Sequence, residues 1–160
     1  MNYMSSKTIQ NIFYGTVILV IIGLVYTNIA GNKQDKTFKA DSEQYEQALQ
    51  MIQSEAVATG IEMLNELTAK YPEEYALYYQ LGLAYSATTD YQKAALNFQK
   101  AIDSRPALLQ DTQFTFRMGE ALFHIGELET SQKYLSMPVP ESFQAEKDRL
   151  LQEIQKQIKS

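Results

Sequence analysis

The chain has 160 residues, enough for one domain with a modest core plus an appendage. It contains no cysteine, which excludes a disulfide framework, a thiolate zinc site and a thiol nucleophile. The formal charge is −5, and the 13 basic side chains after residue 30 are scattered among 19 acidic ones, so a nucleic-acid partner, which demands a basic face, is not expected.

The first expected element is a membrane anchor within residues 1–30. From Thr8 to Asn32 no residue is charged, a run of 25 positions between Lys7 and Lys33, with VILVIIGLV at its centre. A helix needs roughly 20 apolar residues to cross about 30 Å of hydrocarbon. Residues 12–29 supply 18, with Tyr14 and Tyr26 where interfacial aromatics sit. A cleaved signal peptide is the rival. Cleavage favours small residues, however, and Asn28-Ile29-Ala30 is a poor match. A single-pass, uncleaved anchor is therefore expected, with the membrane contacted through residues 12–29. Lys7 and the amino terminus nearly balance Lys33, Lys36 and Lys39, a count leaning toward a cytoplasmic domain. Bacterial signal anchors by habit keep a short charged tail inside and export the chain beyond the apolar run, and an extracytoplasmic domain at the cell membrane is the expectation taken.

Residues 31–42 are polar and without period, a linker that turns into a helix start which Asp41 or Ser42 would cap. From there to the C-terminus the apolar spacing is helical almost throughout, with no convincing period-two strand. The expected class is all-α.

Within it, residues 78–106 read YYQLGLAYSATTDYQKAALNFQKAIDSRP. Tyr78-x2-Leu81-Gly82-x2-Tyr85, then Ala94-x3-Phe98, Ala101 and Pro106, resembles the tetratricopeptide repeat (TPR) pattern W-x2-L-G-x2-Y…A-x3-F…P, with tyrosine in place of tryptophan. That pattern implies two antiparallel helices, with Gly82 and Ala94 as the small residues that let them approach and Thr88-Thr89-Asp90 as the turn. Glycine costs about 1 kcal/mol against alanine in a helix interior, so close packing must repay it.

One pair cannot bury both its faces, so neighbouring units are expected. Pro72 lies 34 residues before Pro106. Moving the frame back by that period places Gly60 under Ala94, Leu64 under Phe98, Leu67 under Ala101 and Ala48 under Gly82. Downstream, Met118-Gly119 matches Leu81-Gly82, Gly126-Glu127 the turn, and Ser131 Ala94. Gly82 and Gly119 are 37 apart, so three residues are inserted, most simply in ALLQDTQ after Pro106. The expected layout for residues 43–160 is a short TPR-like α-solenoid of about three helical hairpins, near 43–74, 75–108 and 112–137. A C-terminal capping helix is expected at 141–159, after Pro138 and Pro140 stop the third unit. Phe143, Leu150, Leu151, Ile154 and Ile158 give that helix one apolar face. A coiled-coil seam is the alternative, though Lys147 interrupts the face and fewer than three heptads remain.

Little in the chain suggests catalysis. The single histidine, His124, shares a helix face with Glu120, but a metal site needs more converging ligands. There is no Gly-rich phosphate loop, nucleophile elbow or H-E-x-x-H. Neither enzymatic activity nor a cofactor or metal is expected.

The resemblance implies instead that the first helices of successive units line a groove for a peptide or helix. Those places are Tyr45, Leu49 and Ile52, then Tyr79, Leu83 and Ser86, then Phe116, Glu120 and Phe123. They lack the lysines and asparagines with which chaperone-binding members of the family hold a C-terminal carboxylate. An apolar, aromatic groove suits an amphipathic helix or an apolar extended segment. Whether the C-terminal helix or inter-repeat packing already covers these side chains stays open. The function implied is a membrane-tethered adaptor or scaffold for a partner protein. Alternatives are a holdase-type assembly factor for envelope proteins and a structural homo-oligomer.

Overall fold

The computed structural model describes residues 37–54 and 56–159. The expected anchor at residues 12–29 lies outside the described residues. Among these, no helix is long and apolar enough to cross a membrane. The chain divides into two compact units, residues 1–43 and 44–160. Of the first, the described residues 37–43 are helical. Asp41 and Ser42 therefore lie inside a helix and not at its start, because helical hydrogen bonding is already under way at residue 37.

Among the described residues every regular element is helical. They are α1 (37–53), α2 (Val57–Lys70), α3 (Tyr75–Ala87), α4 (Tyr91–Ser104), a 3-10 turn (Pro106–Gln110), α5 (Thr112–His124), α6 (Leu128–Leu135) and α7 (Glu141–Lys159). Acidic caps start three of them. The Glu74 carboxylate accepts from the Ala76 N–H, Asp90 from the Lys93 N–H, and Asp111 from those of Gln113 and Phe114. Each satisfies donors that a helix start leaves open and places negative charge at the positive end of the dipole. The three inserted residues fall at the 3-10 turn, which begins with Pro106 and buries Leu108.

The turns of the second and third hairpins share one hydrogen-bond pattern. The Asp90 N–H donates to the Tyr85 carbonyl at 2.9 Å and that of Thr89 to Ser86 at 3.0 Å. The Glu127 N–H donates to Leu122 and that of Gly126 to Phe123, both at 3.0 Å. This is the Schellman closure, in which the residue just past the helix adopts positive φ. Gly126 does so at 83° and Thr89 at 61°. For a β-branched residue that conformation is strained.

Packing follows the register read from the repeat. Helix α3 pairs with α4 and α5 with α6, while α2 against α3 and α4 against α5 join neighbouring hairpins. In each hairpin the helices meet at the small residues. At Gly60, a Cβ would stand 2.7 Å from both the Ala48 carbonyl oxygen and Ile52 Cγ1. At Gly82, it would overlap the Phe98 ring. At Gly119, it would come within 2.8 Å of Leu135 Cγ, and the buried Ser131 hydroxyl donates to the Gly119 carbonyl at 2.7 Å. The expected role of Gly82 thus takes a specific form: the space it leaves is filled by Phe98, four residues on from Ala94. Phe98 is fully buried, with Tyr79 at 6.1 Å and Phe114 edge-on at 5.6 Å.

Stability should respond at the crossing and at the turn. Gly82→Ala should lower the thermal midpoint, because overpacking a clamped ring costs about 1–3 kcal/mol against about 1 kcal/mol of helix propensity gained. Adding Phe98→Leu, the residue type that Leu64 places beside Ala48, should recover part of that loss in a double-mutant cycle. Thr89→Gly should raise stability by about 1 kcal/mol by removing the Cβ penalty at positive φ, read as a higher denaturant midpoint at unchanged slope.

Candidate functional site

The small residues Ala48, Gly82 and Gly119 mark equivalent points on α1, α3 and α5, and the expected site residues sit three before, one after and four after each. The structure sorts these registers sharply. One residue on, Leu49, Leu83 and Glu120 all line a single open groove of about 460 Å³. Four residues on, Ile52 and Ser86 line it too, whereas Phe123 packs against the cluster of Phe116, Leu135, Leu150 and Ile154 beneath α7. Three residues before, none of the three lines it. Tyr45 packs on the core of the first hairpin. Tyr79 meets Phe114 of the following hairpin edge-on at 5.2 Å. Phe116 is 1% exposed and stacked on Phe143 of α7 at 4.8 Å.

The three places share one helix face, and they part by height along it: the first lies a full turn, about 6 Å, from the second. The residue three before fills the joint to the following element, while those one and four after reach the groove in the first two hairpins and, in the third, Glu120 alone does. Helix α7 plays the next helix for the third hairpin: Leu150 and Ile154 are fully buried against Phe116 and Leu135. The ammonium of Lys147, in the middle of α7, donates to the Met137 carbonyl at 2.9 Å. The apolar face that a coiled-coil seam would need is thus largely covered within the chain, while Ile158 stays exposed.

Gln53, Gln80, Ala87, Tyr91 and Arg117 complete the groove and were not expected from the sequence. Gln80, Leu83, Ser86 and Ala87 form one stripe at i, i+3, i+6 and i+7, which keeps Leu83 and Ser86 of the expected stripe and takes Gln80 and Ala87 in place of Tyr79. Likewise Arg117 is the i−3 neighbour of Glu120. A polar amide in an otherwise apolar helix was the available signal.

The two charges of the groove pair with each other. Arg117 Nη1 donates to Glu120 Oε2 at 2.9 Å, with the two side chains 31% and 18% exposed. The guanidinium also lies over the Phe143 ring, 4.9 Å from its centre, and over that of Phe116 at 5.7 Å. Its buried Nε finds no acceptor among the described residues. Burial pushes the Tyr45 phenol above its ordinary pKa, partly offset by a hydrogen bond with the Gln80 side chain. Burial does the same to Tyr79, reinforced by Asp111 and opposed by Arg117. Both stay protonated near neutral pH. At the rim, Tyr91 stacks on His124 at 3.9 Å and 15°, while Glu120 turns to Arg117. The imagined Glu120–His124 pair is thereby split between two other partners.

Known proteins point the same way. The model of the tetratricopeptide repeat-like domain matches residues 7–153. The chain belongs to this family. No curated protein matches it. Among solved structures, this TPR-like chain is similar to SycD, the type III secretion chaperone of Yersinia enterocolitica, in complex with a peptide of the translocator YopD. The two are 17% identical, with 72% of this chain and 92% of that one covered and a TM-score of 0.60. It is also similar to the Sgt2 TPR domain of Aspergillus fumigatus (14% identity, 75% and 80% covered, TM-score 0.59). The TPR2B domain of yeast Sti1, in its pHsp70 complex, is a third (16% identity, 73% and 97% covered, TM-score 0.59). These likenesses establish a TPR-like α-solenoid fold.

The placement of Phe116 yields a direct test. Phe116→Ala should cost about 3–5 kcal/mol of stability, as for a large aromatic removed from a core. Leu83→Ala, at the half-buried groove wall, should cost clearly less in the same denaturant titration.

Proposed function

We propose that the chain is a membrane-tethered adaptor whose groove between α1, α3 and α5 takes a segment of a partner protein. The observation that carries this is the groove itself: Leu49, Ile52, Leu83 and Ala87 from two hairpins present an apolar wall left open among the described residues. Such walls, with a few polar groups to fix orientation, suit peptide recognition. That the SycD structure holds a translocator peptide fits the reading. Tethering rests on residues 12–29, and the family match, which starts at residue 7, runs through them. An anchor confines domain and partner to one surface, so a weak groove gains from effective concentration. The domain is read as extracytoplasmic, by the habit of bacterial signal anchors.

A holdase for unfolded envelope proteins is the second reading. It is favoured by the groove's polar lining, which consists of amides and hydroxyls beside one internally paired couple and so presents no uncompensated charge to select a single partner. The two separate by stoichiometry, since an adaptor saturates with one or two partners and a holdase protects many from aggregation.

Leu49→Glu and Leu83→Glu in the anchored chain should each reduce partner capture from membranes at least about tenfold, the effect of desolvating an unpaired charge, with far-UV circular dichroism unchanged. Undiminished capture by both variants would remove the groove from the function. Protease added to intact cells should digest the domain if it is exported.

A further inference from the structure

The groove's neutrality and its amides narrow the occupant. Its two charged groups, on Arg117 and Glu120, pair with each other at 2.9 Å, and the guanidinium carbon lies 4.9 Å from the centre of the Phe143 ring, so the net charge of the couple is cancelled although Nε keeps an unused donor. A charged ligand group entering here would lose water and meet no free counter-charge, which is unfavourable. The remaining polar reach comes from Gln53 and Gln80, placed beside the apolar Leu49, Ile52 and Leu83. A side-chain amide offers both donors and an acceptor, matching the alternating N–H and C=O of an extended main chain. A helical ligand has already used those groups within itself.

We infer that the occupant is an uncharged, extended segment of a partner polypeptide, read through its main chain by Gln53 and Gln80 and through its apolar side chains by Leu49, Ile52 and Leu83. The inference rests on the proposed binding role of the groove and sharpens it. Recognition of this kind tolerates many sequences but rejects charge and helix, the profile of a site for stretches of unfolded chain.

The test uses the full-length chain in lipid nanodiscs and fluorescence anisotropy. The probe is a short end-blocked peptide alternating Leu or Val with Ser or Thr. Its affinity should change less than about twofold between roughly 0.05 and 0.5 M salt, since no ion pair forms. A central Asp or Lys should weaken it about tenfold or more. N-methylation of two main-chain nitrogens, or Gln80→Leu in the protein, should each cost about tenfold through hydrogen bonds lost or left unpaired. Circular dichroism of Gln80→Leu should match the parent.

Equal binding of the charged peptides, tighter binding of an amphipathic helical peptide, or indifference to both N-methylation and Gln80→Leu overturns the inference. If Leu83→Glu still abolishes that binding, the groove itself stands. Should no peptide bind, or Leu83→Glu change nothing, the groove's binding role falls as well.

Discussion

Two helices can lie close only where one of them has almost no side chain, and that constraint recurs at the crossing of each hairpin. Three different solutions meet it. Ala48 faces Gly60, Gly82 yields to the ring of Phe98, and Gly119 accepts a hydrogen bond from Ser131 through its carbonyl. The third adds a polar bond inside the core, where a satisfied hydroxyl is tolerated and an orphaned one would be costly. Because each crossing fixes how its helices are set against their neighbours, it also decides which residues of one face meet the next hairpin and which reach the groove. Core geometry thereby sets site chemistry.

That placement explains how a chain rich in aromatic residues can present a groove walled mainly by Leu, Ile and Ala. Tyr79 and Phe116 are used at the joints between successive elements, the first against Phe114 and the second against Phe143. Aromatic rings suit a joint because they bury much area with few rotatable bonds and prefer defined edge or offset contacts. The groove keeps the smaller aliphatic side chains, and of its aromatic residues only Tyr91 stands at the rim.

Much of the fold was legible because spacing survives substitution. The 34-residue interval between Pro72 and Pro106 located the first hairpin although its Leu-Gly pair is gone, and Gly126 located the third turn. The same turn in the second hairpin was legible from position and not from chemistry, since Thr89 occupies a conformation that favours glycine. The site was less legible. A helical stripe read from sequence fixes a face but not which of its turns meet a neighbouring helix. Half-buried Tyr79 shares a face with groove-lining Leu83 and Ser86 yet packs at the joint, and buried Phe116 stands in the same way to Glu120. Burial by α7 was an open alternative because the apolar face of a terminal helix does not say what it covers. Residues 12–29 carry a strong hydropathy signal and lie outside the described residues, so the proposed anchor rests on that hydropathy.

Arg117 is where fold and site become inseparable. Its guanidinium lies over the Phe143 ring of α7 while Nη1 holds Glu120 in the groove. A cation over an aromatic face and a carboxylate at its edge use different parts of the same planar group, so neither contact competes with the other. Docking of α7 therefore helps fix where the positive charge sits, and that in turn keeps Glu120 neutralised beside the apolar wall. Were α7 displaced, Phe116 and Leu135 would be bared, and Arg117 would lose its aromatic support. The groove would then carry a mobile charge pair in place of a fixed one. In this chain the terminal helix does more than keep water from the last hairpin. It also keeps the charges of the groove paired, the condition under which apolar contact and main-chain hydrogen bonding would dominate the binding proposed for it.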